Sequence, residues 1–262
     1  MRLAATSVSS AVHHVCYHAF RGVVHSVFGR VLNLIADGRL IAVADSSLGS
    51  LPNGVAVSLD RGWRFDESGI KPGTCVAAAG NEVIKIGSDL QIWLADAKIV
   101  TARKRLSAPL LDPADRIIRL SLARELALQS PCDVGLTPLW REWGGEAGPA
   151  MDGPSCELCA VARPHLSALV TGLVSGRADV VHDASAGLVG LGPGLTPSGD
   201  DVLTGVAAVL ALVGTTAGVE AELAPLRSGI LAGAAGRTNE IAWTYLELAT
   251  QGEIASRLFD YI

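Results

Sequence analysis

The chain has 262 residues, 49% of them apolar and 18% charged, with a formal net charge of −5. That length buries a sizeable core, in one large domain or two modest ones, and the composition excludes a disordered chain. An acidic balance without a basic run argues against a nucleic-acid surface, and five cysteines make no even disulfide framework, which suits a reducing cytoplasm.

No uninterrupted apolar stretch follows Arg2, because His13, His14 and His18 break it, so neither a signal peptide nor a membrane anchor is expected. From Gly22 to Thr101 short Val- and Ile-rich segments alternate with turn residues. They are Val23–Val27, Val31–Ile35, Leu40–Ala44, Val55–Leu59, Cys75–Ala79, Val83–Ile86 and Gln91–Leu94. The breaks fall at Asp37-Gly38, Pro52-Asn53-Gly54, Pro72-Gly73 and Gly80-Asn81. Asp-Gly between two apolar runs is a hairpin signal, and about seven strands at this spacing predict a small barrel or sandwich over residues 1–105.

After Leu106 the period becomes helical. Asp112-Pro113-Ala114-Asp115 supplies an N-cap, a proline for the first helical position and an acid for the first turn. That helix runs to Ser130-Pro131; residues 144–156 are rich in Gly and Pro and read as a loop; a second helix starts near Pro164. Further helices fit 179–188, 199–213, 220–235 and 238–250, with a last one from about 253 after a stop at Gly252. The apolar stretch Val202–Val219 is interrupted by Gly214, Thr215, Thr216 and Gly218. A membrane span needs roughly 20 apolar residues, so it reads as a core helix ending at Gly214. The fold class is α+β: a β-rich barrel- or sandwich-like N-terminal half, then a helical half over 106–262.

Residues 190–201 read Gly-Leu-Gly-Pro-Gly-Leu-Thr-Pro-Ser-Gly-Asp-Asp, immediately before the charge-free run Val202–Val213. Pro193 and Pro197 stiffen the loop, while Gly190, Gly192, Gly194 and Gly199 permit positive φ and close approach of a ligand to the main chain. Ser198 is placed as N-cap, and Ser198-x-x-Asp201 resembles a capping box. The amides of residues 198–201 then point out of a helix start, which is an anion site. Two like charges about 4 Å apart cost about 4 kcal/mol at an effective dielectric of 20. Asp200 and Asp201 therefore either hold a metal ion or receive the N–H donors of a ligand whose anionic end rests on the backbone. The bland alternative is that the acids complement the helix dipole and the glycines allow tight packing. The tetrapeptide Gly-Leu-Thr-Pro also occurs at 135–138; without acids and a helix after it, that copy is taken as coincidence.

Other clusters carry less. Cys156 and Cys159 have metal-ligand spacing with His165 nearby, but a structural zinc site needs four ligands and no second pair exists. His14 and His18 would share a helical face without an acid beside them. His182-Asp183 is taken as a surface pair of neighbours that do not face each other. Trp140 and Trp143 flank Arg141-Glu142 and suit packing at a cavity or interface. Thr238, Asn239 and Glu240 open a helix, with Thr238 as N-cap in the plain reading and the helix start aimed at the same ligand in the functional one.

The string Gly190–Asp201 resembles the signature of a bacterial family that includes a subunit of oxamate carbamoyltransferase, an enzyme of anaerobic allantoin breakdown. Val24-His25-Ser26-Val27-Phe28 sits where that family begins its β-rich part, and Thr238-Asn239-Glu240-Ile241 through Leu246 and Ala249 to Gly252 looks like its C-terminal helical block. Together these segments span most of the chain. The family pattern leads us to expect a small hydroxyl residue near Ala242 and a larger side chain than Val202; both departures bear on the substrate rather than the fold.

The resemblance implies a cytoplasmic subunit of a multi-protein carbamoyltransferase in purine- or ureide-nitrogen breakdown. It would stand beside an acyl-CoA synthetase-like partner, with a carbamate kinase consuming the carbamoyl phosphate. On that footing Asp200, Asp201, Ser198 and Thr196 are the catalytic candidates. Gly192, Pro193, Gly194, Leu195 and Gly199 would hold substrate in a cleft where this loop meets both halves. Backbone amides of the loop would receive the oxyanion, Ser198 and Thr196 would add hydroxyl donors, and Asp200 and Asp201 would take the carbamoyl NH₂ or a Mg²⁺ ion. Arg237, with Thr238 and Asn239, would reach a phosphate or carboxylate in a bidentate way. Two other classes stay open: a non-catalytic subunit that binds a small anion or assembles the complex, and a metal-dependent hydrolase built on Asp200 and Asp201.

Overall fold

In the computed structural model, the described residues are 1–80, 82–103, 112–129, 134–139 and 154–259. They form two compact units. One comprises the strands together with the chain from Glu253, and the other comprises the helices up to Gly252.

The first unit is an eight-stranded barrel with one extra strand, so of the two architectures expected it is the barrel and not the sandwich. Its strands are β1 (Arg2–Ser9), β2 (Ala19–Val27), β3 (Val31–Ala36), β4 (Arg39–Asp45), β5 (Gly54–Val57), β6 (Cys75–Ala79), β7 (Val83–Ile86), β8 (Leu90–Trp93) and β9 (Lys98–Val100). The order β5-β4-β3-β2-β6-β7-β8-β1 closes through β1 on β5, and β9 adds to the second half of β1. The β1–β8, β1–β9 and β4–β5 pairs are parallel and the rest antiparallel.

Asp37 and Gly38 both take positive φ, 49° and 72°, and make the two-residue turn that sets Ala36 opposite Arg39. Alternation does the rest: in β6, Val76 and Ala78 point inward while Cys75, Ala77 and Ala79 point out. Leu32, Leu34, Ile41, Val43, Val55, Val57, Ile84, Ile86 and Ile92 fill the interior. A short helix, α1 (Ser10–Cys16), adds Val12, Val15 and Cys16 to this core, and burial pushes the Cys16 thiol up to about 12. Three expectations need correction here. Arg2–Ser9 is a strand that the sequence reading left out. The run expected to reach Leu59 stops at Val57. His18 lies beyond the end of α1, its ring on the His14 carbonyl.

The second unit contains α2 (Pro113–Gln129), α3 (Pro154–Ser175), α4 (Ala178–Leu188), α5 (Ser198–Ala217), α6 (Glu220–Ala234) and α7 (Glu240–Thr250). Asp112 caps α2 as expected, its carboxylate accepting from the Ala114 amide at 2.8 Å. α3 begins at Pro154, ten residues before the expected start, and Pro164 lies inside it. α5 runs past Gly214 to Ala217 and ends on Gly218 in the left-handed region. Gly214 is a packing position and not a stop: a side chain there would put Cβ 2.6 Å from Glu220 Oε2. Beside it, Arg227 is buried on α6, where it pairs with Glu220 and donates to the Leu210 carbonyl at 3.4 Å. His182 and Asp183 do meet, Nδ1 to Oδ1 at 2.9 Å, on an exposed face.

By length and composition alone, Glu157–Ser175 and Ser198–Ala217 are apolar enough to cross a membrane. The second packs on α6 and α7 through Leu203, Ala207, Ala208, Ala211 and Leu212. A final helix, α8 (Ser256–Phe259), belongs to the strand-built unit, three residues later than expected.

Candidate functional site at the start of a buried helix

The loop between α4 and α5 is held from several sides within the helical unit. Gly190, Gly192 and Gly194 take φ of 76°, 113° and 99°, the left-handed region that the sequence reserves for them. At Gly199 a Cβ would stand 1.9 Å from the Leu188 carbonyl oxygen, so only glycine lets α5 start this close to the end of α4. The Gly199 amide donates to the Leu191 carbonyl at 2.9 Å, which uses one of the first-turn donors.

The N-cap of α5 is Pro197, and Ser198 is already helical, with no side-chain capping bond. The capping-box expectation therefore fails at Ser198, because proline, lacking an N–H and already extended at φ −53° and ψ 145°, occupies the boundary. Ser198 packs instead against Gly135, where a Cβ would meet its Oγ at 2.2 Å. The Gly-Leu-Thr-Pro copy at 135–138 thus begins beside the second copy, a neighbour that no spacing rule would have found. The Gly135 carbonyl also accepts from Cys159 Sγ at 3.8 Å.

The two acids part company. Asp200 is 1% exposed; its Oδ2 accepts from the Gly190 amide at 2.7 Å, and its Oδ1 is buried without a hydrogen-bond partner. Asp201 is exposed. Partial desolvation, and then the charge of Asp200, push its carboxyl up to about 6, against the opposing effect of a hydrogen bond from Thr196. One carboxylate thus staples the loop, and its neighbour presents a proton-exchanging group beside a hydroxyl at the surface.

A second helix start reaches the same loop. Asn239, and not Thr238, is the N-cap of α7: its Oδ1 accepts from Ile241 at 3.0 Å and Ala242 at 3.1 Å. Its Nδ2 donates to the Leu195 carbonyl at 2.8 Å. Thr238 Oγ1 is left buried and unpartnered. A Cβ on Gly190 would lie 3.3 Å from the Arg237 carbonyl, so the turn before α7 lines the loop's first glycine. Pro193, Gly194, Leu195, Thr196 and Arg237 are exposed. The site residues expected on the loop and those expected before α7 therefore lie together.

A model of the AllH family N-terminal domain matches residues 4–99, and a model of the oxamate carbamoyltransferase subunit AllH matches residues 188–262. The chain belongs to the oxamate carbamoyltransferase subunit AllH family. The first match spans nearly all of the barrel strands; the second opens at the last residue of α4 and takes in the whole loop, α5, α6 and α7. No curated protein and no solved structure matches the chain.

Other candidates find plain roles or none. Cys159 is buried on the Gly135 carbonyl, and His165 lies against Gly187, with its ring 2.2 Å from where a Cβ would be. The Cys156 side chain, Trp140 and Trp143 lie outside the described residues. Among the described residues no group of three or more His, Cys, Asp or Glu is placed to hold a metal ion.

Proposed function

We propose that this chain is a subunit of a carbamoyltransferase. It would move the carbamoyl group between phosphate and a small amide or ureido acid of the oxamate or oxalurate kind, in purine or ureide nitrogen breakdown. The observation that carries the reading is the split between the two acids: Asp200 fixes the glycine loop from inside, leaving Asp201 and Thr196 at the surface with a carboxyl near 6. The family's name, that of a subunit, supports an assembly with further subunits, and an acyl-CoA synthetase-like partner remains our expectation.

The chemistry fits such a group. In the synthetic direction the oxamate nitrogen attacks the carbonyl carbon of carbamoyl phosphate, phosphate departs with the C–O bonding pair, and the nitrogen sheds a proton. A carboxylate with a pKa of about 6 is mostly ionised at neutral pH and can take that proton; in phosphorolysis the same group returns it. The amides of Ser198 and Asp200, together with the Thr196 and Ser198 hydroxyls, are the donors proposed for the oxyanion. Arg237 is the proposed partner of a phosphate or carboxylate. Asn239, tied to Leu195, acts by positioning the loop.

A second reading, a binding or assembly subunit whose partner carries out the chemistry, is favoured by the internal use of the Gly190 and Gly199 amides. The metal-dependent hydrolase gains no comparable support from carboxylates turned in different directions.

Purified chain, alone and with co-purified partner subunits, is given carbamoyl phosphate and oxamate while released phosphate is followed. Turnover that is lost in Asp201→Asn, with helix content unchanged, is the expected result. Binding without turnover by the chain alone, and normal turnover of the assembly carrying that variant, would transfer the chemistry to the partner.

A further inference from the structure

One end of the barrel carries a hollow in which the glycine loop has no part. β4 and β5 run parallel and stop together, Asp45 beside Val57, and the Asp45 amide donates to the Arg30 carbonyl at 3.0 Å just before β3 begins. In the segment after β5, the Trp63 amide closes a turn on the Asp60 carbonyl at 3.0 Å, with Gly62 at φ 89° and Arg61 inside the turn. Arg64 lies against Gly29, where a Cβ would stand 2.5 Å from its Cζ, and the Phe65 amide donates to the Gly29 carbonyl at 3.0 Å. These segments border a space of about 590 Å³.

Arg30, Arg61 and Arg64 all line it. Arg61 is exposed and, among the described residues, makes neither an ion pair nor a hydrogen bond. Arg30 reaches a single oxygen of Asp45, at 3.3 Å, while the other oxygen accepts from the Ser47 amide at 2.8 Å and its hydroxyl at 2.6 Å. Arg64 meets Asp66 through Nε and Nη2, which leaves Nη1 over. Arg257 stands close by, donating to the Ser47 carbonyl. One wall is the half-buried Trp63, whose ring is edge-on to the fully buried Phe65 at 5.0 Å. A planar apolar surface anchored in the core thus shares one hollow with three guanidinium groups.

We propose that this hollow binds a mononucleotide-like phosphate ester, its planar ring against Trp63 and its phosphate on Arg61 and Arg30. Pockets for organic ligands run from about 300 to 1,000 Å³, and the mouths of β-barrels are among their usual places. Inorganic phosphate, carbamoyl phosphate or oxamate would reach the cations and leave the indole bare. Guanidinium forks match phosphate oxygens in pairs, and several forks suit a group with three oxygens better than a carboxylate with two. The indole face takes a stacked heterocycle. Asp45 and Asp60 on the border, with Asp66 and Glu67 beside Arg64, oppose a continuous run of phosphates, so a nucleic-acid strand is the less suitable occupant. The inference is independent of the carbamoyl chemistry assigned to the glycine loop.

The full chain is titrated by calorimetry with adenosine 5′-monophosphate, uridine 5′-monophosphate, adenosine and inorganic phosphate. At least one nucleotide binds, and the nucleoside and phosphate each bind at least tenfold more weakly because each meets only half of the hollow. Arg30→Gln/Arg61→Gln, two exposed positions whose loss leaves the barrel core intact, weakens nucleotide binding at least tenfold. Trp63→Leu weakens nucleotide and nucleoside alike and leaves phosphate unchanged, with circular dichroism reporting that the strands persist. Lys85→Gln, on β7, changes nothing. No binding of either nucleotide at millimolar concentration, inorganic phosphate binding as tightly as the nucleotides, or full nucleotide binding by Arg30→Gln/Arg61→Gln would each overturn the proposal.

Discussion

Asn239 holds two helix-start amides and one loop carbonyl at once, so its two functions can be separated by substitution. In Asn239→Ala the bonds to Ile241 and Ala242 go, at about 1 kcal/mol for a lost N-cap, and the bond to Leu195 goes, at about another 1 kcal/mol. The sum, about 2 kcal/mol, corresponds to a fall of roughly 4–8 °C in the melting of a unit this size. Asn239→Asp keeps an oxygen for both amides and gains roughly 0.3–1 kcal/mol from the helix dipole, but puts an acceptor against the Leu195 carbonyl. The aspartate variant should therefore melt within about 2–4 °C of the parent and above the alanine variant, while losing binding or turnover as fully as the alanine variant does. Helix content is followed by circular dichroism, with the transitions of the two units fitted separately. Two variants of equal stability would refute the separation, and an aspartate variant of full activity would refute the loop tie.

Gly199→Ala must drive the α5 start away from the Leu188 carbonyl, and we expect a loss of about 1–3 kcal/mol in urea unfolding; an unchanged midpoint would show that the helix start slides freely. The raised carboxyl of Asp201 means that the folded chain holds a proton more readily than the unfolded chain between about pH 4 and 6. That contribution favours folding at the acid end of the window and is lost as pH rises through about 6, so Asp201→Asn should flatten the stability profile there. The same group predicts turnover that falls with acid at a midpoint near 6, and an acid limb centred near 4 would exclude it. Arg227→Met removes the buried guanidinium that pairs with Glu220, whose carboxylate is in contact with water, so the loss should be about 1–2 kcal/mol, below the figure for a fully buried pair; a double-mutant cycle with Glu220→Gln gives the coupling.

Alternation and turn chemistry made most of the barrel readable: Cys75–Ala79 and Val83–Ile86 form strands with the expected limits, and Asp37-Gly38 turns as its residues dictate. β1 was hidden because its partners β5, β8 and β9 come later in the chain and no tight turn marks its pairing. Glycine misled at 214, where it meets a neighbouring side chain, as serine did at 198, where proline had already ended the loop. The inward turn of Asp200 was legible in principle, since positions 200, 203, 207, 211 and 214 share the buried stripe of α5. The bonds from Asn239 to Leu195 and the seat of Ser198 on Gly135 join residues about 40 to 60 positions apart, and local pattern contains nothing of them.

Arg103 and Glu253 are bridge partners, so the chain comes back to the strand-built unit beside the place where it left. During synthesis every barrel strand has been made by Val100, yet the Ser50 amide and carbonyl wait for Ser256, and the Ser47 carbonyl for Arg257. A nascent barrel therefore spends about 150 residues of translation, on the order of 10–30 s at about 5–20 residues per second, with those groups still hydrated. Ser256 and Arg257 thus close over Ser47 and Ser50 what the strands began.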